Sequence, residues 1–293
     1  MLGRQRNEHT IAERVRVTGR GYWSGRGVNV HFIPASVGTG IRFVRSDLAG
    51  RPEIPVDLST RTDQSLRTNL AVGEAKVEMI EHAMAALYAL EIDNCVVAID
   101  GEELPGLDGS SAAYVDALRT AGLVMQAAPR RQLIVDRTIR IGTAASWIEA
   151  SPSPDGRMHV EYRLDYGPES PIRPQTFAAP VSPESFAREF APARTFVTAE
   201  QAESLRRSGV ASHVTNRDLL VFDHRGPVGN LLRYPNECAR HKALDLVGDL
   251  ALVGAELVGR IVSHRGGHQL NGSMAEQLCK IADLVPLGCR RAA

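Results

Sequence analysis

The chain has 293 residues, with Lys plus Arg equal to Asp plus Glu at 34 each and no long run of one sign. That balance excludes a nucleic-acid surface built on net charge and a solvating acidic tail, and the length allows one or two globular units with proper cores. Cys95, Cys238, Cys279 and Cys289 form no CxxC pair, which suits a reducing compartment and argues against a disulfide framework or a cysteine-rich zinc knuckle.

The N-terminal "MLGRQRNEHTIAERVRV" has no apolar h-region. The longest apolar stretch, Leu244 to Val262, is cut by Asp245, Asp249, Glu256 and Arg260. The expectation is a cytoplasmic protein with no transmembrane segment and at most peripheral membrane contact. Short strands are predicted at "TIAERVRV" (10–17), "GVNVHFI" (27–33) and "GIRFVRS" (40–46), separated by glycine-rich turns. Apolar side chains at helical spacing predict a helix over 77–90, "VEMIEHAMAALYAL", before a strand "CVVAID" (95–100). A short helix over 112–122 is stopped by Gly122.

The pattern breaks at "QAAPRRQ" (126–132), and strands resume with "LIVDRTIRI", "WIEASP" and "MHVEYRLDY". Ser182 before Pro183 caps one helix, and Thr198 with Gln201 forms a capping box for another, ended by Gly209. Then come a strand near "DLLVFD", a long helix from about 235 to 254, a strand "LVGRIVSH" (257–264), an "RGGH" turn and a last helix from about 271 to 285. Each half reads as strands, a His-bearing helix, a strand and a closing helix. The fold class expected is therefore α+β, with two similar layered domains, residues 1–127 and 131–293.

Chemistry enters on the long helix. His241 and Asp245 are four apart and project from one face, close enough to hold one metal ion, and Asp249 extends the stripe by a turn between apolar neighbours. A purely solvated face explains Asp249 poorly, although His and Asp at this spacing also occur on solvated helices. Imidazole and carboxylate are both zinc ligands, and three protein ligands leave a fourth position for water. His82, on the comparable helix of the first half, is the candidate third ligand. Glu81 lies about 100° around that helix and could reach a water on the same ion. His268, after two glycines, is either a loop residue or a proton donor, and Arg194 and Thr195 precede a helix where a hydroxyl could serve an oxyanion. His9, His31, His159, His213, His224 and His264 have no partner at ligand spacing. The glycines of "GRGYWSG" do not follow the dinucleotide-binding order.

Five ordered blocks, "GRGYWSGRGVNVHFIPASVGTGIRFVRSDL", "VEMIEHAMAALYALEIDNCVVAIDGEELPGLDGSSAAYVDAL", "APARTFVTAEQAESLRRSG", "YPNECARHKALDLVGDLALVGAELVGRI" and "GGHQLN", together resemble the UDP-3-O-acyl-N-acetylglucosamine deacetylase family, zinc amidases of lipid A synthesis in Gram-negative bacteria. The resemblance implies His82, His241 and Asp245 as Zn2+ ligands and Glu81 as general base. It implies His268 as general acid, oriented by Asp249, with Thr195 and Lys242 at the substrate and its oxyanion and Phe196 against the sugar or acyl portion. It further implies two β-α-α-β units with the site in their cleft, an acylated UDP-amino sugar as substrate, and a monomer. Two stretches depart from the family pattern: Trp23 stands where the glycine-rich block usually carries His, and "GVASHVTNRDLLVF" replaces a G-G-S segment followed by Asn-Ala. A deacetylase acting on another N-acetylated sugar nucleotide or glycolipid, and a non-catalytic zinc-containing binding protein, are the alternatives.

Overall fold

The computed structural model describes residues 5–62, 66–209, 211 and 213–281, and it shows one strand order used twice. In the first sheet Val15–Arg20, Gly27–Pro34, Cys95–Ile99, Ile41–Arg45 and Glu53–Pro55 lie side by side, antiparallel except where Ile41–Arg45 runs parallel to Cys95–Ile99. In the second, Ile139–Gly142, Trp147–Ser151, Glu256–His264, Met158–Leu164 and Gln175–Pro180 repeat that order, again with one parallel pair, Met158–Leu164 on Glu256–His264. Gln132–Ile134 adds a short parallel pairing to Glu256–His264. Each parallel pair exists because a helix separates its strands in sequence and carries the chain back over the sheet.

The helices are α1 (Glu81–Ala89), α2 (Ala112–Thr120), α3 (Pro183–Ser185, continued by a π-helical turn Phe186–Phe190), α4 (Ala199–Arg207), α5 (Glu237–Leu250) and α6 (His268–Ile281). Val28, Val30 and Phe32 turn inward at period two while Asn29 and His31 do not, giving the first sheet one buried face. α5 is buried nearly all round, and its apolar residues Leu244, Leu246, Val247 and Leu250 are each at most 1% exposed, as expected of a helix between other layers. It ends through a 3-10 turn at Ala251–Val253 and a left-handed Gly254.

α1 and α5 cross closely at a glycine. A Cβ on Gly248 would lie 3.0 Å from the Glu81 Cα and closer still to its carbonyl, so only glycine lets the two helices meet there. A helix-interior glycine costs about 1 kcal/mol relative to Ala. In α5 that loss is the condition for bringing α1 onto the acidic stripe.

Several boundaries differ from the pattern reading. "TIAERVRV" is two strands: Asn7–Ile11 pairs with Leu123–Pro129, and Val15–Arg20 with Gly27–Pro34. Between them Ala12 and Glu13 donate to the carbonyls of Gly122 and Ala121 after α2, so the chain changes partners. The helix expected at 77–90 begins only at Glu81, because Ala75–Val77 is a strand paired with Asn69–Val72 and Met79 takes a left-handed conformation. "LIVDRTIRI" divides into Gln132–Ile134 and Ile139–Gly142. The last helix starts at His268, three residues earlier than its periodicity suggests; its expected end at 282–285, like Cys289, lies outside the described residues. No helix among the described residues is long and apolar enough to cross a membrane.

Candidate metal centre

His82 stands in the first turn of α1, and His241 and Asp245 stand one turn apart on α5. Nε2 of His82 is 3.5 Å, and Nε2 of His241 3.4 Å, from the same Asp245 oxygen, Oδ1. One ligand atom from each of the three residues lies within 4.8 Å of the other two. The imidazole rings meet edge to face with centroids 5.0 Å apart. All three side chains are buried, yet Asp245 Oδ1 has no hydrogen-bond partner. A buried, unpaired carboxylate oxygen facing two imidazole nitrogens is costly as it stands and is satisfied by a cation among them.

The neighbours prepare these atoms for that role. His241 Nδ1 donates to the Ala193 carbonyl at 3.1 Å, which leaves Nε2 as the unprotonated nitrogen facing Asp245. Burial lowers the His241 pKa to about 3, so the ring is neutral. Burial opposes ionisation of Asp245, but the Lys242 ammonium, 2.6 Å from Oδ2, holds it well below the usual carboxylate range. The same contact outweighs burial on Lys242 and raises its pKa.

Asp249, one turn past Asp245, is 1% exposed and fully bonded. It accepts from Thr68 Oγ1 at 2.5 Å and Asn271 Nδ2 at 2.8 Å, and its Oδ2 is 2.9 Å from His268 Nδ1. Burial works against a charged His268, but Asp249 raises its pKa to about 9. The ring's other nitrogen, Nε2, lies 3.9 Å from Asp245 Oδ2. Glu81 is buried beside the cluster, with Oε2 accepting the Thr68 backbone N–H at 3.0 Å, and desolvation raises its pKa. Glu81, His82, His241, Asp245, Lys242, His268, Thr195 and Phe196 all line one cavity of about 670 Å³, whose far wall is made by Leu205 of α4 with Ala211, Val214 and Leu219. α4 has no buried residue and lends Gln201 and Ser204 to the lining as well.

Every sequence-derived candidate falls in or beside this cavity. The sequence reading missed Thr68, which bridges Glu81 and Asp249 from a loop between strands, and the Ala193 carbonyl; neither has a local signal. Asn271 it also missed, although its position three residues after His268, one turn along α6, is a spacing that offered it.

The family model described as UDP-3-O-acyl N-acetylglycosamine deacetylase matches residues 8–280. The chain belongs to this family. It is 37% identical over 289 residues to the UDP-3-O-acyl-N-acetylglucosamine deacetylase of Anaeromyxobacter sp. strain Fw109-5, covering 97% of this chain and 91% of that one. It is 38% identical over 274 residues to the protein of the same name from Brucella ovis, covering 92% and 94%.

Within this family member one buried ion pair stands directly behind the centre. Glu237, at the start of α5 and 0% exposed, accepts from Arg194 Nε at 2.8 Å, from Arg194 N at 3.1 Å and from Arg233 N at 2.6 Å. Arg194 separates Ala193, whose carbonyl orients His241, from Thr195 in the cavity. Arg194→Lys cannot keep the forked geometry. We expect it to weaken metal binding by roughly tenfold or more, the usual effect of disturbing a ligand's orienting partner, read by competition with a chelator. Unchanged affinity would show that the pair supports the fold alone.

Proposed function

We propose that this chain hydrolyses the N-acetyl group of UDP-3-O-acyl-N-acetylglucosamine, releasing acetate, as a zinc-dependent cytoplasmic enzyme of lipid A biosynthesis. The observation that carries the reading is the buried, unpaired Asp245 oxygen facing His82 and His241, with the Glu81 carboxylate and the His268 imidazole, both of raised pKa, in the same cavity. Family membership and the names of the relatives support the substrate. We further propose a monomer of two domains, 1–127 and 131–293, each supplying one of the helices that carry the ligands.

A zinc ion held by His82, His241 and Asp245 would polarise the acetamide carbonyl and acidify a water at the open fourth position. Glu81 takes the proton from the attacking water. As the carbonyl carbon becomes tetrahedral, its oxygen gains negative charge, which the Thr195 hydroxyl and the Lys242 ammonium stabilise. His268, charged and with Nδ1 held by Asp249, gives the proton on Nε2 to the leaving nitrogen. The C–N bond then breaks to acetate and a free amine. Phe196 lies against the sugar or acyl portion.

Glu81 must be ionised and His268 protonated, so kcat/KM is expected to be bell-shaped in pH. The acid limb lies above the ordinary carboxylate range, because burial raises the Glu81 pKa. The alkaline limb follows His268, whose proton is lost as pH rises through about 9. A monotonic profile removes the pair assignment. The decisive test is amine release from UDP-GlcNAc bearing 3-O-acyl chains of several lengths, including none. Protein carrying about one zinc that releases no amine from any of them, even in excess, ends the reading.

A further inference from the structure

The glycine turn that carries Trp23 and the 213–219 segment touch each other. His213 Nε2 lies 2.9 Å from the Gly21 carbonyl, joining the 213–219 segment to the glycine turn that carries Trp23. Gly25 in that turn is left-handed, and a Cβ on it would lie 2.7 Å from His213 Nδ1. The Tyr22 hydroxyl donates to the Asp218 carbonyl. Asp218 in turn closes its own loop by accepting from Thr215 N at 2.7 Å and Thr215 Oγ1 at 2.8 Å. The glycine turn is equally fixed from behind, since Glu103 accepts the backbone N–H groups of Trp23 and Ser24 at 2.8 and 2.9 Å. The Trp23 ring is covered by the Arg67 guanidinium at 4.5 Å.

This contact stands at a boundary between two spaces. Tyr22 and Val214 line the cavity of about 670 Å³ that holds the metal cluster. The same two residues, with His213 and Gly21, line a second cavity of about 370 Å³ on the other side. The partition between the spaces is therefore the two side chains Tyr22 and Val214, each adjacent in sequence to one partner of the His213–Gly21 hydrogen bond. Trp23, Ala211 and Leu219 continue it along the first cavity, where Leu205 and Val197 make the wall apolar.

We propose that His213 is a specificity-determining residue: by latching the 213–219 segment to Gly21 it fixes where the acyl-binding cavity ends, and so sets the longest chain accepted. The proposal takes the occupant of the apolar wall from the reading of the site as acting on an acylated amino sugar. Trp23 and the 213–219 segment then act as one selectivity element.

His213→Ala removes the latch without touching a residue of the metal cluster. The expected result is a shift of kcat/KM, roughly tenfold, toward chains two or more carbons longer than the parent's optimum, the scale on which a hydrophobic pocket discriminates by methylene groups. Metal content and kcat on the parent's best substrate stay unchanged. His213→Gln keeps a donor for the Gly21 carbonyl and is expected to retain the parent profile. Gly25→Ala pushes on the latch from the other side and is expected to move the profile as His213→Ala does. Calorimetric binding of free fatty acids of graded length gives the same comparison without turnover. A length profile shifted in that assay, in a protein that releases no amine, upholds the latch while removing the substrate reading. Length profiles of His213→Ala and parent that coincide in both assays overturn the proposal.

Discussion

His268→Ala is expected to keep its metal and lose turnover, with kcat falling by roughly 10²–10⁴, the range that a positioned proton donor contributes. The imidazole is no part of the three-residue cluster: its Nε2 is 3.9 Å from Asp245 Oδ2, and its Nδ1 is bound to Asp249. Truncation leaves Asp249 buried but still bonded to Thr68 and Asn271, and removing one partner of a buried ion pair costs roughly 3–5 kcal/mol of stability. Metal content measured on the purified variant should match the parent. The alkaline limb of the pH profile should disappear from whatever activity remains, because the group that titrates near 9 is gone. His268→Gln is the companion variant, since it keeps a polar side chain in the space yet carries no transferable proton. Parent-like kcat in either variant would sink the acid role.

The site was more legible in the sequence than its surroundings, and the reason is the cost of burying charge. His241, Asp245 and Asp249 interrupt a run that packs on every side, and a buried titratable stripe persists only where each member has a partner or a task. His82 was visible for the same reason, beside Glu81 at the head of an alanine-rich helix. What escaped the reading is whatever acts through the backbone or across long separations. Thr68 reaches Glu81 and Asp249 from 13 and 181 residues away, and Ala193 serves His241 with a carbonyl that any residue would carry. Gly248 reads in isolation as a flaw in α5; only the neighbouring helix explains it. His213 has no partner at ligand spacing. Its partner is a main-chain oxygen 192 residues earlier, which no spacing rule could supply. Element type survived where periodicity ran long, as in α5. It blurred where one apolar stretch changed partners midway, as at 10–17, or where a left-handed residue reset the chain, as at Met79.

His241→Ala should lose both metal and activity, and a thermal measurement makes that outcome quantitative. The parent cluster sets two imidazoles around one carboxylate oxygen that has no other partner, an arrangement in which a cation would bind the folded chain in preference to the unfolded one. Binding of that kind stabilises by RT ln(1 + [L]/Kd), about 2.7 kcal/mol at a free metal concentration of 100 Kd. For a chain of this size 1 kcal/mol moves Tm by roughly 2–4 °C, so the parent should lose about 5–11 °C when metal is stripped by chelation and regain it on adding zinc. Without the His241 ring the donor set falls to His82 and Asp245, too few for the tetrahedral site that zinc favours with three protein ligands and a water. The variant's Tm should therefore not respond to chelator or to zinc at parent-saturating concentrations, and its kcat should stay at background when zinc is supplied. His268→Ala, which leaves the cluster whole, should show the full parental response. A His241→Ala protein that binds zinc with parental affinity, or a parent whose Tm ignores chelation, would remove His82, His241 and Asp245 as the metal centre and with it the catalytic scheme built on them.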